Sequence, residues 1–200
     1  VGNPRTDNLQ KTKKQNTTYK KNEITLFSFR HSIGGLKVDD EDGVKAFSNT
    51  RKEGVINYFD NIHGEFAKTA LENPETKFNI KIKWEKNSLW ATKIIEAIEK
   101  YTGNKFINIK NLHIYGNEYD AQNLIFKSNV VVGINSTALL EAKILNSNVI
   151  IPITDEVKDK YMDRVYFQEY FNSDFIIVNS CEQLNQVTIQ KLNYKNMQSI

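Results

Sequence analysis

Cysteine, histidine and long apolar runs are scarce in this chain of 200 residues, and each scarcity excludes a class of structure or site. The one cysteine, Cys181, cannot form a disulfide within the chain, and free thiols are usual in a reducing compartment such as the cytoplasm. Three dispersed histidines give no ligand spacing typical of a zinc site. No apolar run approaches the ~20 residues that a membrane-spanning helix requires. We therefore expect a cytoplasmic protein, and the sequence implies neither a metal nor a cofactor.

The charge balance also lacks a strong bias. The net charge is +3, and basic residues are mostly interspersed with acidic ones, which argues against a nucleic-acid-binding surface. A lysine-rich segment between residues 11 and 21 is the exception. We interpret it as a solvated linker, or alternatively as a patch that attracts a phosphate-bearing acceptor or the anionic inner face of the cytoplasmic membrane.

A chain with 40% hydrophobic and 11% aromatic residues can bury the core of one domain. The predicted division is a linker over residues 1–22, one domain over 23–192 and a tail over 193–200. The predicted strands are Ile24–Phe29, Phe78–Trp84, Phe106–Ile114, Val130–Gly133, Val149–Ile151 and Phe175–Val178. The predicted helices cover 50–71, Leu89–Tyr101, Tyr119–Phe126, Ala138–Leu145, a stretch with Tyr161, Tyr166, Tyr170 and Phe171, and a last helix capped by Ser180. This alternation predicts a doubly wound, Rossmann-like parallel sheet with helices on both faces.

The fold is organised around the stretch from residue 123 to residue 152. An apolar run ends at Gly133, a helical stretch follows, and a second apolar run ends at Pro152. Apolar runs without alternation are typical of strands buried on both faces, and two such strands joined by one helix form a βαβ unit. Ligands of such sheets bind at the carboxyl ends of the strands. We therefore expect a binding site directly after Gly133.

The loop between this strand and its helix has residues suited to an anion. Gly133 allows close approach of backbone, and Asn135, Ser136 and Thr137 stand where the first N–H groups of the helix point outward. A diphosphate fits such a place. The alternative is that Ser136 or Thr137 simply caps the helix.

Glu141 lies farther along the same predicted helix, flanked by apolar residues. It is not three residues after Ser136 or Thr137, so it does not complete a capping box. Its carboxylate could accept hydrogen bonds from ribose or sugar hydroxyls. The alternative is a first-turn glutamate stabilised by the helix macrodipole.

A second group of polar residues follows the first predicted strand. Arg30, His31 and Ser32 precede a glycine pair, and parallel strands bring their carboxyl ends to one edge of the sheet. Arginine offers a planar fork for phosphate oxygens, and histidine can donate a hydrogen bond or a proton. We expect Arg30 and His31 to face the phosphates of the ligand; the alternative is an exposed loop.

Two segments resemble a known class of enzymes. Residues 133–142, GINSTALLEA, followed by NVIIP at 148–152, resemble the donor-binding segment of GT-B glycosyltransferases, with its pattern G-x-x-S-[ST]-x-x-x-E-A before an apolar strand. Residues 2–7, GNPRTD, resemble the G-x-P-R-x-D segment where the donor domain of those enzymes begins. The resemblance is greatest to bacterial surface-polysaccharide glycosyltransferases and to CDP-glycerol glycerophosphotransferases.

This resemblance implies one half of a GT-B fold, the domain that binds a nucleotide-activated donor for capsular or cell-wall polysaccharide biosynthesis. The helix start at Ser136 and Thr137, with Arg30 and His31, would stabilise the departing nucleotide phosphate without a metal. The resemblance also implies that the nucleotide base rests near Tyr115, which could stack on it. A half-buried structural tyrosine is the alternative.

The chain begins at Val1, inside a segment that resembles a motif, so we expect a separate N-terminal domain that holds a glycan or lipid-linked acceptor. The expected donor is a nucleotide sugar. A CDP-linked polyol, from which a glycerophosphate-like group is transferred, is the first alternative. A nucleotide-sugar 2-epimerase and a non-catalytic nucleotide-binding module are the others.

Overall fold

The computed structural model describes residues 22–29, 55–160, 162, 165–171 and 173–197. The strands are β1 (Glu23–Phe27), β2 (Lys77–Lys81), β3 (Leu112–Tyr115), β4 (Ser128–Gly133), β5 (Asn148–Pro152) and β6 (Phe175–Val178). The α-helices are α1 (Val55–Glu72), α2 (Leu89–Thr102), α3 (Ala121–Lys127), α4 (Thr137–Ile144), α5 (Asp155–Lys160) and α6 (Cys181–Met197). Turns of 3-10 helix cover Phe106–Asn108 and Gln168–Tyr170.

The strands form one parallel sheet in the order β3-β2-β1-β4-β5-β6. From β1 the chain winds through β2 and β3 to one edge, crosses back, and winds through β4 and β5 to β6 at the other edge. The predicted doubly wound, Rossmann-like sheet is therefore confirmed. The winding direction reverses between β1 and β4, and open α/β sheets bind ligands at the carboxyl ends of strands at such a reversal.

Helices cover both faces of this sheet. On one face α1 packs against α2 and α6, and Phe66 meets Phe78 of β2 with ring centroids 5.3 Å apart. On the other face α3 and α4 pack together, and Leu139 lies next to Gly133. All of β4 is buried because it lies between these two layers, as its unbroken valine run predicts.

The strand predicted over Phe106–Ile114 is wrong in its first half, because a 3-10 turn replaces it and β3 begins only at Leu112. Side-chain hydrogen bonds stabilise this turn. Glu99 Oε1 accepts from the backbone N of Phe106 at 2.9 Å. Asn111 Nδ2 donates to three carbonyl oxygens at and after the end of α1, at 2.8–3.0 Å. Local polar bonds thus override the strand preference of the apolar residues between them.

The helix predicted after Pro152 is also wrong in its second half. α5 ends at Lys160, and the aromatic residues expected on it follow in irregular chain and a 3-10 turn: Tyr166, Tyr170 and Phe171. Phe167 has a φ of 65°, a left-handed conformation that an α-helix does not contain. The side-chain amide of Gln168 donates to the carbonyl oxygens of Met162 and Val165, at 2.7 and 2.8 Å, and so stabilises the turn.

Other boundaries lie close to the expected ones. α2 ends as predicted at Gly103, whose φ is 68°. β2 ends at Lys81 rather than Trp84, and α6 continues past residue 192 to Met197. The division into linker, domain and tail stays a prediction.

The start of α6 is capped as predicted. Ser180 Oγ accepts a hydrogen bond from the backbone N of Gln183 at 3.1 Å. Gln183 Oε1 in turn accepts from the backbone N of Asn179 at 2.7 Å, one residue before the partner that a capping box would use. This helix start therefore uses its own side chains to satisfy its first turn.

Candidate functional site

The candidate site lies where β1 and β4 end side by side. Phe27, the last residue of β1, is the register partner of Gly133, the last residue of β4. This pair stands at the reversal of strand order, where ligands of doubly wound sheets bind. The sequence predicts that β1 and β4 end at the same edge of the sheet, and this is confirmed.

Gly133 allows the close packing of three elements. A Cβ at this position would lie 3.2 Å from the carbonyl oxygen of Phe27 and 3.2 Å from Cδ2 of Leu139. Both contacts are tighter than side-chain carbons normally tolerate, so a larger residue would push β1 or α4 away. The glycine thus permits a close approach, as the sequence predicts, and the observed approach is between protein atoms.

The loop after Gly133 turns sharply into α4. Asn135 has a φ of 52°, a left-handed conformation that asparagine tolerates better than most residues. Ser136 then occupies the N-cap position with extended backbone, and Thr137 is the first helical residue. The predicted helix start at Ser136 and Thr137 is confirmed. Thr137 is exposed and Ser136 is half-buried, so neither side chain lies in a closed core.

Ser136 does not cap the helix with its hydroxyl. Its side chain makes no capping hydrogen bond, although its carbonyl oxygen accepts from the backbone N of Leu139 at 3.0 Å. The N–H groups of a helix's first turn have no partner within the helix and need an acceptor from outside it. Ser88 at the start of α2 likewise makes no capping bond with its side chain, so this feature is shared by two helix starts.

The side chain of Asn135 connects this loop to the segment after α5. Its Oδ1 accepts a hydrogen bond from the backbone N of Tyr166 at 2.7 Å. The sequence predicts Asn135 as a donor-binding residue, whereas its oxygen here holds a neighbouring segment in place. Tyr166 is thereby brought to the rim of the site, which the sequence did not predict.

Glu141 lies in the second turn of α4 and is 4% exposed. No acidic residue occupies the first turn of α4, so the alternative of a first-turn, dipole-stabilised glutamate is wrong. Its carboxylate is therefore inside the domain. Hydrogen bonding of Glu141 to ligand hydroxyls stays a prediction.

Three predicted site residues, Arg30, His31 and Ser32, lie outside the described residues. The structure describes the chain up to Phe29, whose buried ring packs against Tyr58 with centroids 5.1 Å apart. Their role at the phosphates therefore stays a prediction that rests on the position of β1.

A buried serine–histidine pair closes the end of β1, and the sequence analysis missed it. His63 Nδ1 lies 2.8 Å from the carbonyl oxygen of Phe59, which only accepts, so Nδ1 carries the proton. Nε2 therefore accepts the hydrogen bond from Ser28 Oγ at 2.8 Å. Burial lowers the pKa of His63 to about 4, although the bond to Phe59 opposes that shift. A histidine in the middle of an apolar helix face was the only sequence signal.

Lys81 is a buried cation at the end of β2, beside the end of β1. Its Nζ donates to the carbonyl oxygens of Ile82 and Gly116, at 2.7 and 2.8 Å. Burial lowers the pKa of this ammonium, and the carboxylates of Glu118 and Asp120 oppose that effect. Lys81 thus joins the segments that directly follow β2 and β3, at the edge of the sheet where β1 also ends.

Tyr115 lies at the end of β3, with β2 and β1 between it and β4. Its ring packs against Tyr119 with centroids 4.5 Å apart, and Lys77 Nζ lies 5.7 Å from its centroid. These contacts favour the structural role that was the alternative. Contact between Tyr115 and a nucleotide base stays an untested prediction.

The described residues hold neither a metal-binding cluster nor a membrane-spanning helix. In residues 55–160 and the other described segments, no three His, Cys, Asp or Glu side chains converge as they would around a metal ion. None of the helices that the structure describes is both long and apolar enough to cross a membrane.

Comparison with solved structures finds a likeness that covers almost the whole chain. The chain is similar to the structure of Escherichia coli ADP-heptose LPS heptosyltransferase II, with a TM-score of 0.52 and 10% sequence identity. The likeness covers 98% of this chain and 54% of the heptosyltransferase, so this chain spans about half the length of that enzyme. No protein-family model matches the chain, and neither does any curated protein. The chain therefore has a Rossmann-like α/β fold that matches a GT-B glycosyltransferase.

Proposed function

We propose that this chain is the donor-binding domain of a GT-B glycosyltransferase and that the start of α4 holds the diphosphate of a nucleotide sugar. The observation that carries the proposal is Ser136, which occupies the N-cap position where the strand order reverses but makes no capping bond. A serine in that position normally accepts from an N–H group of the first turn. A phosphate oxygen is the acceptor that would take its place.

The electrostatics of a helix start support this assignment. Aligned peptide dipoles place roughly half a positive charge at the amino terminus of a helix, and the first N–H groups point at whatever binds there. A diphosphate has oxygens enough to accept from these groups and from the hydroxyls of Ser136 and Thr137. Because Thr137 is exposed and Ser136 half-buried, a ligand can reach both.

The same contacts would assist the transfer step. When the bond between the anomeric carbon and the diphosphate oxygen breaks, negative charge grows on the departing nucleoside diphosphate. Donors that point at those oxygens stabilise this charge more than they stabilise the bound substrate, and only such a difference raises the rate. Arg30 and His31, which follow β1 in sequence, would add charged donors. A separate domain would hold the acceptor in line with the anomeric carbon.

The fold likeness supports a choice of substrate class. The heptosyltransferase is named for ADP-heptose and for LPS, a sugar donor and a surface glycan. A nucleotide sugar is therefore the first donor to test for this chain, and bacterial surface polysaccharide is the proposed product class. A peripheral position at the cytoplasmic membrane would bring the enzyme to a lipid-linked acceptor.

Calorimetry on the 200-residue chain tests the proposal. We expect binding of at least one nucleoside diphosphate among UDP, GDP, ADP and CDP, and binding of the corresponding nucleoside that is at least ~100-fold weaker because it lacks the diphosphate. Nucleotide sugars and CDP-glycerol are then compared on the same base. Equal affinity for nucleoside and nucleoside diphosphate would refute the α4 site, and preference for CDP-glycerol would move the proposal to polyol-phosphate transfer.

Glu141 offers a second test of the same site. If its carboxylate accepts a ribose or sugar hydroxyl, Glu141→Gln should weaken donor binding by about 1–3 kcal/mol. Glu65→Gln is a matched control, because Glu65 is a buried glutamate on α1 that accepts from Tyr101 Oη at 2.7 Å. That control should leave donor affinity unchanged.

A further inference from the structure

Resting on the proposed nucleotide site, we infer that the ring of Tyr166 is the surface on which the nucleotide base stacks. Tyr166 is joined to the loop before α4 by the hydrogen bond from its backbone N to Asn135 Oδ1, at 2.7 Å. Whatever binds at the start of α4 therefore has Tyr166 at the rim of its site.

The backbone on both sides of Tyr166 is held in place. Val165 is 4% exposed in the core, and Phe167 packs against the same core. The side-chain amide of Gln168 donates to the carbonyl oxygen of Val165 at 2.8 Å. A segment with these bonds loses little further conformational freedom when a ligand binds, and such preorganisation favours affinity.

The ring of Tyr166 itself is displayed to solvent. It is 55% exposed, between two residues whose side chains point inward, and its ring contact among the described residues is edge-on with Phe167, at 6.3 Å. The side chain of Tyr166 therefore has surface that a planar ligand can cover. Stacking on a base uses the face of the ring and does not depend on which base is present.

The position of Tyr166 also suits the length of the ligand. A base is separated from its diphosphate by the ribose, so its contact must lie beside the helix start rather than at it. Tyr166 follows β5 and α5, on the side of β4 that faces away from β1 in the strand order. Tyr115 lies in the other direction, at the end of β3, with β2 and β1 between it and β4. Tyr166 thus takes the role that the sequence analysis suggested for Tyr115.

Three variants test this inference. Tyr166→Ala removes the ring but keeps the backbone bond to Asn135, and Tyr166→Phe keeps the ring face. Tyr170→Ala is the matched control, because Tyr170 lies in the same segment with 37% exposure and its ring already packs on Phe175 at 5.8 Å. Each protein is titrated with the nucleoside diphosphate that binds the wild type best and with inorganic pyrophosphate, after its melting temperature has been measured.

We expect Tyr166→Ala to weaken the nucleoside diphosphate about tenfold, which corresponds to ~1.4 kcal/mol, and to leave pyrophosphate unchanged. Tyr166→Phe and Tyr170→Ala should match the wild type with both ligands. Unchanged nucleoside diphosphate affinity in Tyr166→Ala, or an equal loss for pyrophosphate, would overturn the stacking role while the α4 site stands. A wild-type chain that binds no nucleoside diphosphate would overturn the proposed function, and the stacking role with it.

Discussion

The helices α4 and α6 both begin with a serine at the N-cap position after a buried strand, yet the two serines are used differently. Ser180 accepts from the backbone N of Gln183, and Gln183 closes the cap from the other side. Ser136 makes no such bond. A capping bond is the usual function of serine at this position. Ser88 at the start of α2 lacks such a bond too, so its absence is not specific to α4, and the position of α4 at the strand reversal is what favours it as the proposed ligand site.

The ends of β1 and β4 show the same contrast at closer range. Ser28 follows β1 and is 5% exposed, with its hydroxyl bonded to His63 Nε2 at 2.8 Å. Ser136 follows β4, the neighbouring strand, and is half-buried without a cap bond. One side of the strand reversal is therefore closed by internal hydrogen bonds, and on the other side the serine hydroxyl makes no capping bond.

The largest expected effect concerns His63, whose hydrogen bond to Ser28 closes the end of β1. The pKa of His63 is about 4 in the folded chain, against 6.5 for an ordinary histidine. Between those values the unfolded chain binds a proton that the folded chain does not, so stability falls as pH falls from 6.5 to 4. The loss is about 3 kcal/mol for this fully buried group.

Urea denaturation at pH 7.5, 5.5 and 4 on wild type and His63→Gln measures this loss. Glutamine can donate to Phe59 and accept from Ser28 but does not titrate, so the difference between the two proteins isolates His63 from the carboxylates. As pH falls over that range, the free energy of unfolding of the variant relative to wild type should rise by about 3 kcal/mol. Parallel pH profiles would show that His63 is not held neutral.

The next effect separates ligand binding from stability at Ser136. Ser136→Asp places a carboxylate at the helix start, where it should stabilise α4 by ~0.3–1 kcal/mol through the macrodipole. The same charge repels a diphosphate, so nucleoside diphosphate affinity should fall at least ~10-fold, or ~1.4 kcal/mol. Ser180→Asp, the matched change at α6, should leave that affinity unchanged. Equal losses from both variants would mean that only net charge matters.

The smallest effect concerns the two hydroxyls themselves. Ser180→Ala removes an observed cap bond and should cost about 1 kcal/mol of unfolding free energy. Ser136→Ala removes none and should cost no more than a few tenths of a kcal/mol, within the range of ordinary surface substitutions. Thermal or urea unfolding of both variants without ligand gives the comparison. A larger cost for Ser136→Ala would show that its hydroxyl serves the helix after all.

Much of the fold could be predicted because it depends on apolar pattern and on a few residues with strong backbone preferences. The unbroken valine run of β4 predicts a doubly buried parallel strand, and Gly103 marks the end of α2. The turn at Phe106 and the segment around Phe167 could not be predicted in this way. Both depend on side-chain hydrogen bonds to distant or irregular backbone, from Asn111 and from Gln168.

The residues of the candidate site also fall into those that local sequence predicts and those that it does not. Ser136 could be placed from the sequence because a strand, a small polar residue and a helix follow one another locally. Tyr166 and His63 could not be placed, since the position of each depends on a contact across the fold, with Asn135 in one case and with Ser28 in the other. Local pattern predicts where a site lies, and tertiary contacts decide which further side chains join it.

The most direct test of the account is an NMR titration of the isotope-labelled chain with the best-binding nucleoside diphosphate. Backbone amide signals at the start of α4, from Ser136 to Ala138, should shift strongly as N–H groups bond phosphate oxygens. The equivalent amides at the start of α6, from Ser180 to Glu182, should not move. Shifts of equal size at both helix starts, or binding that leaves the α4 amides unmoved, would contradict the assignment of the diphosphate site.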